Sequence, residues 1–351
     1  TAIFPQEHWP RGISVNGWVT IGGEKMSKSQ GNFITLREAL DDHGATITRL
    51  TLANAGEGLD DANWDPEFAK TAYRRVQAWY NTVTEAPEGA RTGEHNDADT
   101  WMLARLADLV TEAQDAYEKA QFRTALKVGL FDAAKAWNWY QRRALGQPHQ
   151  EVWQTFASTA IRLMAPIVPH LASEAWDAYG GEGLLIDAPF PALEAPEDAG
   201  EAIRAEELVQ QVIDDVRDIL KVTGEEPELI RIFTAPAWKH TVAETALELR
   251  EEKGQPPNPG ELTKAIMQID AVKRQGGQAA KFAKDVAINM SKGQVPTTGV
   301  DETTALEAAT DFIGHELGCP VEVHQAGEHG DVEDGGKAKR AEPGRPGLYV
   351  A

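Results

Sequence analysis

Lys25-Met26-Ser27-Lys28-Ser29, set between the glycine pair Gly22-Gly23 and the turn Gly31-Asn32, decides how this chain is read. Two lysines and two serines on one short loop can surround a triphosphate. A lysine is a compact point charge with three rotatable donors, suited to phosphate oxygens whose charge shifts during reaction. A P-loop presents backbone donors through the glycines of GxxxxGK[ST]; here side chains carry the charge. Working back from the loop, residues 13–21 (Ile13-Ser14-Val15-Asn16-Gly17-Trp18-Val19-Thr20-Ile21) alternate enough to predict a β-ribbon running into the glycine pair. The plain alternative is a solvated basic loop.

With its continuation Gln30-Gly31-Asn32-Phe33-Ile34-Thr35-Leu36, the pentamer resembles the KMSKS motif of class I aminoacyl-tRNA synthetases. A chance match to one fixed pentamer in a chain of this length is roughly one in ten thousand. In that family the loop closes over ATP and stabilises the pyrophosphate that leaves as the aminoacyl-adenylate forms. The resemblance therefore implies Lys28 and Lys25 as catalytic residues, and Lys25, Met26, Ser27, Lys28 and Ser29 as the ATP-binding loop. ATP enters as a substrate and brings Mg2+ with it; no metal ligand of the protein is assigned.

Residues 45–64, ending Asn54-Ala55-Gly56-Glu57-Gly58-Leu59-Asp60-Asp61-Ala62-Asn63-Trp64, look like the archaeal and eukaryotic branch of leucyl-tRNA synthetases. There a helix and an AxAGxGxxDANF-like turn follow the KMSKS loop. Asn54 and Trp64 stand where that pattern has Asp and Phe. Physically, Gly56, Gly58 and the acidic pair also suit an ordinary helix end and loop. A second run, Arg162-Leu163-Met164-Ala165-Pro166-Ile167-Val168-Pro169-His170-Leu171-Ala172-Ser173-Glu174-Ala175-Trp176, is similar to the LLAPxxPHxxEExW run of the helical anticodon-binding domain of the same subgroup. His170, among apolar neighbours, is expected to be a satisfied core histidine.

The resemblance and the helical periodicities together imply a mainly α fold with α/β parts. Residues 1–64 form the end of a Rossmann-like catalytic fold carrying the loop, with Thr35 capping a helix that ends near Gly44 and a second helix from about Thr46 to Ala55. Residues 65–98 are a connecting helix and loop: Asp65-Pro66 is a helix start, and Phe68, Tyr73, Val76, Trp79 and Tyr80 point to a core. Residues 99–188 are a helical bundle of the anticodon-binding type, with Leu103, Leu106, Leu109 and Val110, then Phe122, Leu126, Leu130 and Phe131, on buried faces. A linker at 189–201 leads to a small α/β domain, 202–351. Its strands are expected at 229–233, 321–324 and 348–350, with helices near 237–252, 261–272, 277–291 and 302–317 between them. The tail 342–350 resembles the terminal strand of archaeal leucyl enzymes.

The charge balance pulls the other way. A net charge of −21 and a pI near 4.8 disfavour a nucleic-acid partner, because phosphate binding needs a basic surface. A carboxylate-covered surface suits concentrated salt, where the Debye length at 1 M is roughly 3 Å and repulsion of RNA fades. A halophilic archaeal origin is the expectation. Against that background, residues 261–292 carry six basic side chains and three acids. Arg274, Lys281 and Lys284 fall near one helical face, with Lys273 adjacent and Gly276-Gly277 allowing close backbone approach. The local excess of positive charge makes Lys273, Arg274, Lys281 and Lys284 the candidate tRNA contacts, and the resemblance implies that this domain binds the long variable arm of tRNA(Leu). A solvated helix face is the alternative.

Hydrophobic content of 42% and ten tryptophans exclude global disorder. No apolar run is long enough to span a bilayer, and a soluble cytoplasmic protein is expected. The single cysteine, Cys319, rules out an intramolecular disulfide and a cysteine-cluster zinc site. None of the nine histidines belongs to a HIGH motif, the family's second ATP-contacting element, and no editing insertion has room here. The chain opens Thr1-Ala2 as if entering mid-domain. These features imply the carboxy-terminal part of a leucyl enzyme, inactive by itself, whose intact form joins leucine to tRNA(Leu) with ATP. An isoleucyl, valyl or methionyl enzyme, or a tRNA-binding module with a vestigial loop, remain as alternatives.

Overall fold

The computed structural model describes residues 3–10, 12–13, 15–29, 31–224, 226–328 and 330–351. Thr1 and Ala2 at the start of the sequence, Ser14 of the expected ribbon and Gln30 after the lysine loop lie outside the described residues. The fold is mainly helical with two three-stranded sheets, and it divides into two units, residues 1–199 and 200–351.

In the first unit, β1 (Val19–Ile21) pairs antiparallel with β2 (Glu24–Lys25) and parallel with β3 (Ala62–Trp64), giving the order β2-β1-β3. Between β2 and β3 lies α1 (Leu36–Ala55). Thr35 opens it with a reciprocal cap: its hydroxyl accepts from the Glu38 N–H at 3.1 Å, and the Glu38 carboxylate accepts from the Thr35 N–H at 2.7 Å. Gly44, at φ 75° and ψ 167°, breaks α1 into the two helices its sequence suggested. Asp65 then caps α2 (Pro66–Thr84), accepting from the Glu67 and Phe68 N–H groups with proline at the first helical position.

The bundle comprises α3 (Asp97–Glu118), α4 (Phe122–Leu126), a π-helical stretch Lys127–Asp132, α5 (Ala133–Arg143), α6 (Gln150–Met164) and α7 (Pro169–Tyr179). Met102, Leu106, Leu109, Leu126, Ile161 and Leu163 are fully buried. Trp137 stacks on Phe156, ring centroids 4.5 Å apart. Full burial of each such side chain contributes about 1.5–3 kcal/mol. A buried polar knot ties the 85–96 loop to this core. Asp99, wholly buried, accepts from the Arg91 guanidinium, the Asn96 N–H and the Tyr140 hydroxyl, and that hydroxyl accepts from the His149 N–H at 2.8 Å. Burial, and then the bond to Asp99, push the Tyr140 phenol up, which keeps it a donor.

In the second unit α8 (Ala199–Thr223) precedes a sheet of order β5-β4-β6, with β4 (Ile230–Thr234) parallel to β5 (Val321–Gln325) and antiparallel to β6 (Gly347–Val350). The helices α9 (Ala237–Lys253), α10 (Pro259–Ile266), α11 (Asp270–Lys273) and α12 (Gly277–Ser291) share a core of Val242, Leu262, Ile266, Phe282, Ala283 and Val286. Two short helices, α13 (Glu302–Glu307) and α14 (Thr310–Leu317), lead into β5. Among the described residues no helix is long and apolar enough to cross a membrane.

Four expectations are corrected. The ribbon is short: among the described residues of 13–21 only Val19–Ile21 is strand, and Ile13, Val15 and Trp18 before it stay exposed with no ladder partner. Tyr73 is 64% exposed, since the inward face of α2 is set by Ala69, Ala72, Val76, Trp79 and Val83. His170 is exposed in the first turn of α7, where Pro169 starts the helix and Ala172, Ala175 and Trp176 turn inward. Phe122 is 48% exposed at the start of α4, while Ala125 and Leu126 take the core.

Candidate functional site

The hairpin that carries the lysine loop turns at Gly22 (φ 61°) and Gly23 (φ 80°), conformations that glycine adopts without a Cβ penalty. Thr20 pairs with Lys25 and Ile21 with Glu24. The hairpin is pinned from the side by the 57–64 turn. Asn63 Oδ1 accepts from the Gly23 N–H at 2.8 Å and from the Thr20 hydroxyl at 3.1 Å. Asp61 Oδ1 accepts from the Trp18 N–H at 2.7 Å, and the Gly17 N–H donates to the Asp60 carbonyl at 3.2 Å. A Cβ on Gly17 would stand 2.4 Å from Asp61 Oδ1 and 2.9 Å from the Asp60 backbone, so a glycine is what lets the two segments meet.

Beyond the hairpin the loop closes on itself. Asn32 Oδ1 accepts from the Ser27 N–H at 2.9 Å, and Asn32 Nδ2 donates to the Lys25 carbonyl at 3.1 Å. The Ser27 and Ser29 hydroxyls are hydrogen-bonded at 2.8 Å. Gly31, at φ 74°, provides the return. Lys25 and Lys28 are both exposed, and Met26 and Ser27 are half-buried. Lys25 Nζ lies 4.3 Å from the centroid of the Trp18 ring and Lys28 Nζ 5.3 Å from that of Phe33. Cation–π contacts at exposed sites are worth about 0.5–1 kcal/mol, enough to order a lysine and little enough to release it to an anion. Among the described residues neither lysine forms an ion pair, so two positive charges stand together on one hydrogen-bonded loop.

The same turn and the preceding helix α1 join the loop module to the bundle. Glu57 accepts from the Thr124 N–H at 3.0 Å and its hydroxyl at 2.9 Å. Arg49 donates through Nε to the Ile167 carbonyl at 2.7 Å and through Nη2 to the Pro166 carbonyl at 3.0 Å. A cavity of about 630 Å³ lies here, lined by Val19, Leu52, Glu57, Phe122 and Ile167 among others.

The second group of candidates is arranged otherwise than expected. Lys273 lies in α11 and Arg274 caps its end. Gly276, at φ 55° and ψ −124°, then breaks the chain before α12, which carries Lys281 and Lys284 one turn apart. All four are exposed, yet Arg274 does not share a helical face with Lys281 and Lys284, because the continuous helix assumed by the spacing is interrupted.

His95, His149 and Glu151 form the one group among the described residues whose ligand atoms lie close enough to hold a metal ion. Both nitrogens of His149 are engaged, Nδ1 accepting from the Glu151 N–H at 3.2 Å as the cap of α6 and Nε2 facing the Gly93 carbonyl at 3.1 Å. The cluster is thereby explained as a helix cap. Sequence reasoning did not single out Trp18, Asn32, Asp61 and Asn63 as loop supports. Their signal was there: each carboxamide or carboxylate sits beside a glycine turn whose backbone donors need acceptors.

Two family models match the chain: tRNA synthetases class I (M) over residues 3–83, and anticodon-binding domain of tRNA ligase over residues 99–232. Leucine–tRNA ligases are similar along its whole length. That of Aeropyrum pernix is 36% identical over 356 residues, covering 100% of this chain and 36% of the relative. Those of Methanothrix thermoacetophila and Pyrococcus furiosus are 33% and 32% identical, each covering 99% of the chain, and 36% and 35% of the relative. The chain thus spans little more than a third of the length of the curated relatives it matches. A solved LeuRS-tRNA-LeuAMS complex of Agrobacterium radiobacter K84 aligns with a TM-score of 0.43 at 17% identity, over 63% of this chain and 25% of that one.

Proposed function

Since the chain belongs to the leucine–tRNA ligase family, we propose that it serves in the reaction ATP + L-leucine + tRNA(Leu) → leucyl-tRNA(Leu) + AMP + diphosphate, as the part that carries the phosphate loop and the tRNA-binding helices. The observation that carries this reading is that one loop on a pinned hairpin bears two exposed lysines, neither of which forms an ion pair among the described residues. Lys25 and Lys28 would bind the β- and γ-phosphates of ATP and stabilise the charge that develops on diphosphate as the leucine carboxylate attacks the α-phosphorus. Positioned cations are worth most where they meet charge that grows in the transition state. Met26, Ser27 and Ser29 complete the ATP-binding loop, with Mg2+ arriving on the nucleotide.

In this reading residues 1–64 end the nucleotide-binding domain, 65–98 connect, 99–188 bind the anticodon side of tRNA, 189–201 link, and 202–351 bind tRNA through Lys273, Arg274, Lys281 and Lys284. The protein works in the cytoplasm, at high salt. The test is binding of this chain to leucine tRNA, with isoleucine tRNA and an arm-deleted leucine tRNA as controls, from low to molar salt. Leucine-specific, arm-dependent binding that falls at least severalfold in a Lys281→Ala/Lys284→Ala variant supports the reading. Equal binding of all three RNAs by both proteins refutes the tRNA assignment.

A further inference from the structure

The lysine loop is closed by one side chain that none of the functional assignments uses. Asn32 is half-buried, and its carboxamide spends both of its polar ends on the loop backbone: Oδ1 takes the Ser27 N–H at 2.9 Å and Nδ2 gives to the Lys25 carbonyl at 3.1 Å. We propose that Asn32 is a positioning residue for the phosphate loop, acting through Lys25. The proposal rests on the reading of the loop as the ATP phosphate site.

The geometry favours this role over mere loop filling. Lys25 is the last residue of β2, so its backbone is fixed by the ladder on one side, where Thr20 is its partner, and by Asn32 on the other. Its ammonium group is steadied over the Trp18 ring at 4.3 Å, and the Trp18 N–H is itself held by Asp61. Lys25 and Ser27 at the start of the loop are therefore both tied to Asn32 at its far end. Without Asn32 the Ser27 N–H and the Lys25 carbonyl turn to water, and the lysine loses the backbone orientation that aims it. Such a loss costs little binding and much rate, because a displacement of about 1 Å at a reacting centre lowers rate by up to about a hundredfold.

The experiment is leucine-dependent ATP–diphosphate exchange by the full-length protein encoded with this chain, in wild type, Lys28→Ala, Lys25→Ala, Asn32→Ala and Lys25→Ala/Asn32→Ala. Hydrogen exchange of the peptide spanning residues 24–33 is the structural readout. Asn32→Ala is expected to lower kcat about 10- to 100-fold with KM for leucine unchanged, to deprotect the Ser27 amide, and to add less than about threefold to the loss in the Lys25→Ala background. If Lys28→Ala falls while Asn32→Ala keeps wild-type kcat, the positioning role is overturned and the nucleotide reading stands. A full multiplicative loss in the Lys25→Ala background overturns the route through Lys25. If neither Lys28→Ala nor Asn32→Ala changes exchange, the phosphate reading fails and takes this inference with it. A variant that loses fold would show deprotection well beyond residues 24–33; Asn32→Ser, which keeps a short polar group, then repeats the same kcat and KM comparison.

Discussion

Replacing Asp99 by alanine is the sharpest test of what holds the first unit together. The carboxylate is wholly buried and receives three donors: the Arg91 guanidinium, the Asn96 N–H and the Tyr140 hydroxyl. Removing one partner of a buried ion pair costs about 3–5 kcal/mol. Arg91 keeps a side-chain exposure of 26% and can turn toward water, which places its share at the low end. The Tyr140 hydroxyl cannot: it loses its acceptor in the core, at about 1–3 kcal/mol. A net loss of about 3–5 kcal/mol follows, or about 6–20 °C in Tm for a unit of this size. Tyr140→Phe alone should cost about 1–3 kcal/mol, since it frees both Asp99 and the His149 N–H. The two changes share a bond, so the double variant should fall short of their sum by about 1 kcal/mol or more. Urea denaturation followed by tryptophan fluorescence, at fixed salt, measures all three. An Asp99→Ala loss below about 1 kcal/mol, or strict additivity, would refute the view that this knot anchors the loop of residues 85–96.

Gly17→Ala should force β1 and β3 apart, because its Cβ would overlap Asp61 Oδ1 and the Asp60 backbone; a destabilisation of about 1–3 kcal/mol is expected, and an unchanged urea midpoint would contradict the packing described. In the second unit Glu302 is buried, accepts from the Gly344 and Ala235 N–H groups, and has its carboxyl pushed up, first by burial. Its proton is therefore held more tightly folded than unfolded, and the stability this gives is lost as pH rises. Glu302→Gln cannot ionise, so its Tm relative to wild type should rise from the acid range toward neutrality, whatever the offset from the acceptor it loses. A difference that is constant with pH, or that shrinks, would contradict this sign.

The helices were legible in the sequence because their ends are marked chemically. Thr35 with Glu38, Asp65 with Pro66, and Gly44 between two helical runs each announce a backbone need that one residue type meets. The lysine loop was legible as a motif. Its supports were not: Asn63 reaches across 40 residues to the Gly23 N–H, and Asn32 bonds back to Ser27 and Lys25 on the loop itself, to backbone groups whose direction depends on the hairpin and leaves no periodic trace. Periodicity failed where a face was half-covered, as at Tyr73, and where a helix was broken by a glycine with non-helical φ and ψ, as at Gly276 between Arg274 and Lys281. His170 misled because its apolar neighbours face inward while it sits in an exposed first turn.

The central claim is that Lys25 and Lys28 serve the transfer of the adenylyl group. It is tested most directly by leucine-dependent ATP–diphosphate exchange with Lys28→Ala in the full-length protein encoded with this chain. Loss of one positioned donor to developing charge costs about 3 kcal/mol of barrier, so exchange should drop at least about a hundredfold with little change in leucine affinity. An exchange rate equal to that of wild type would contradict the claim.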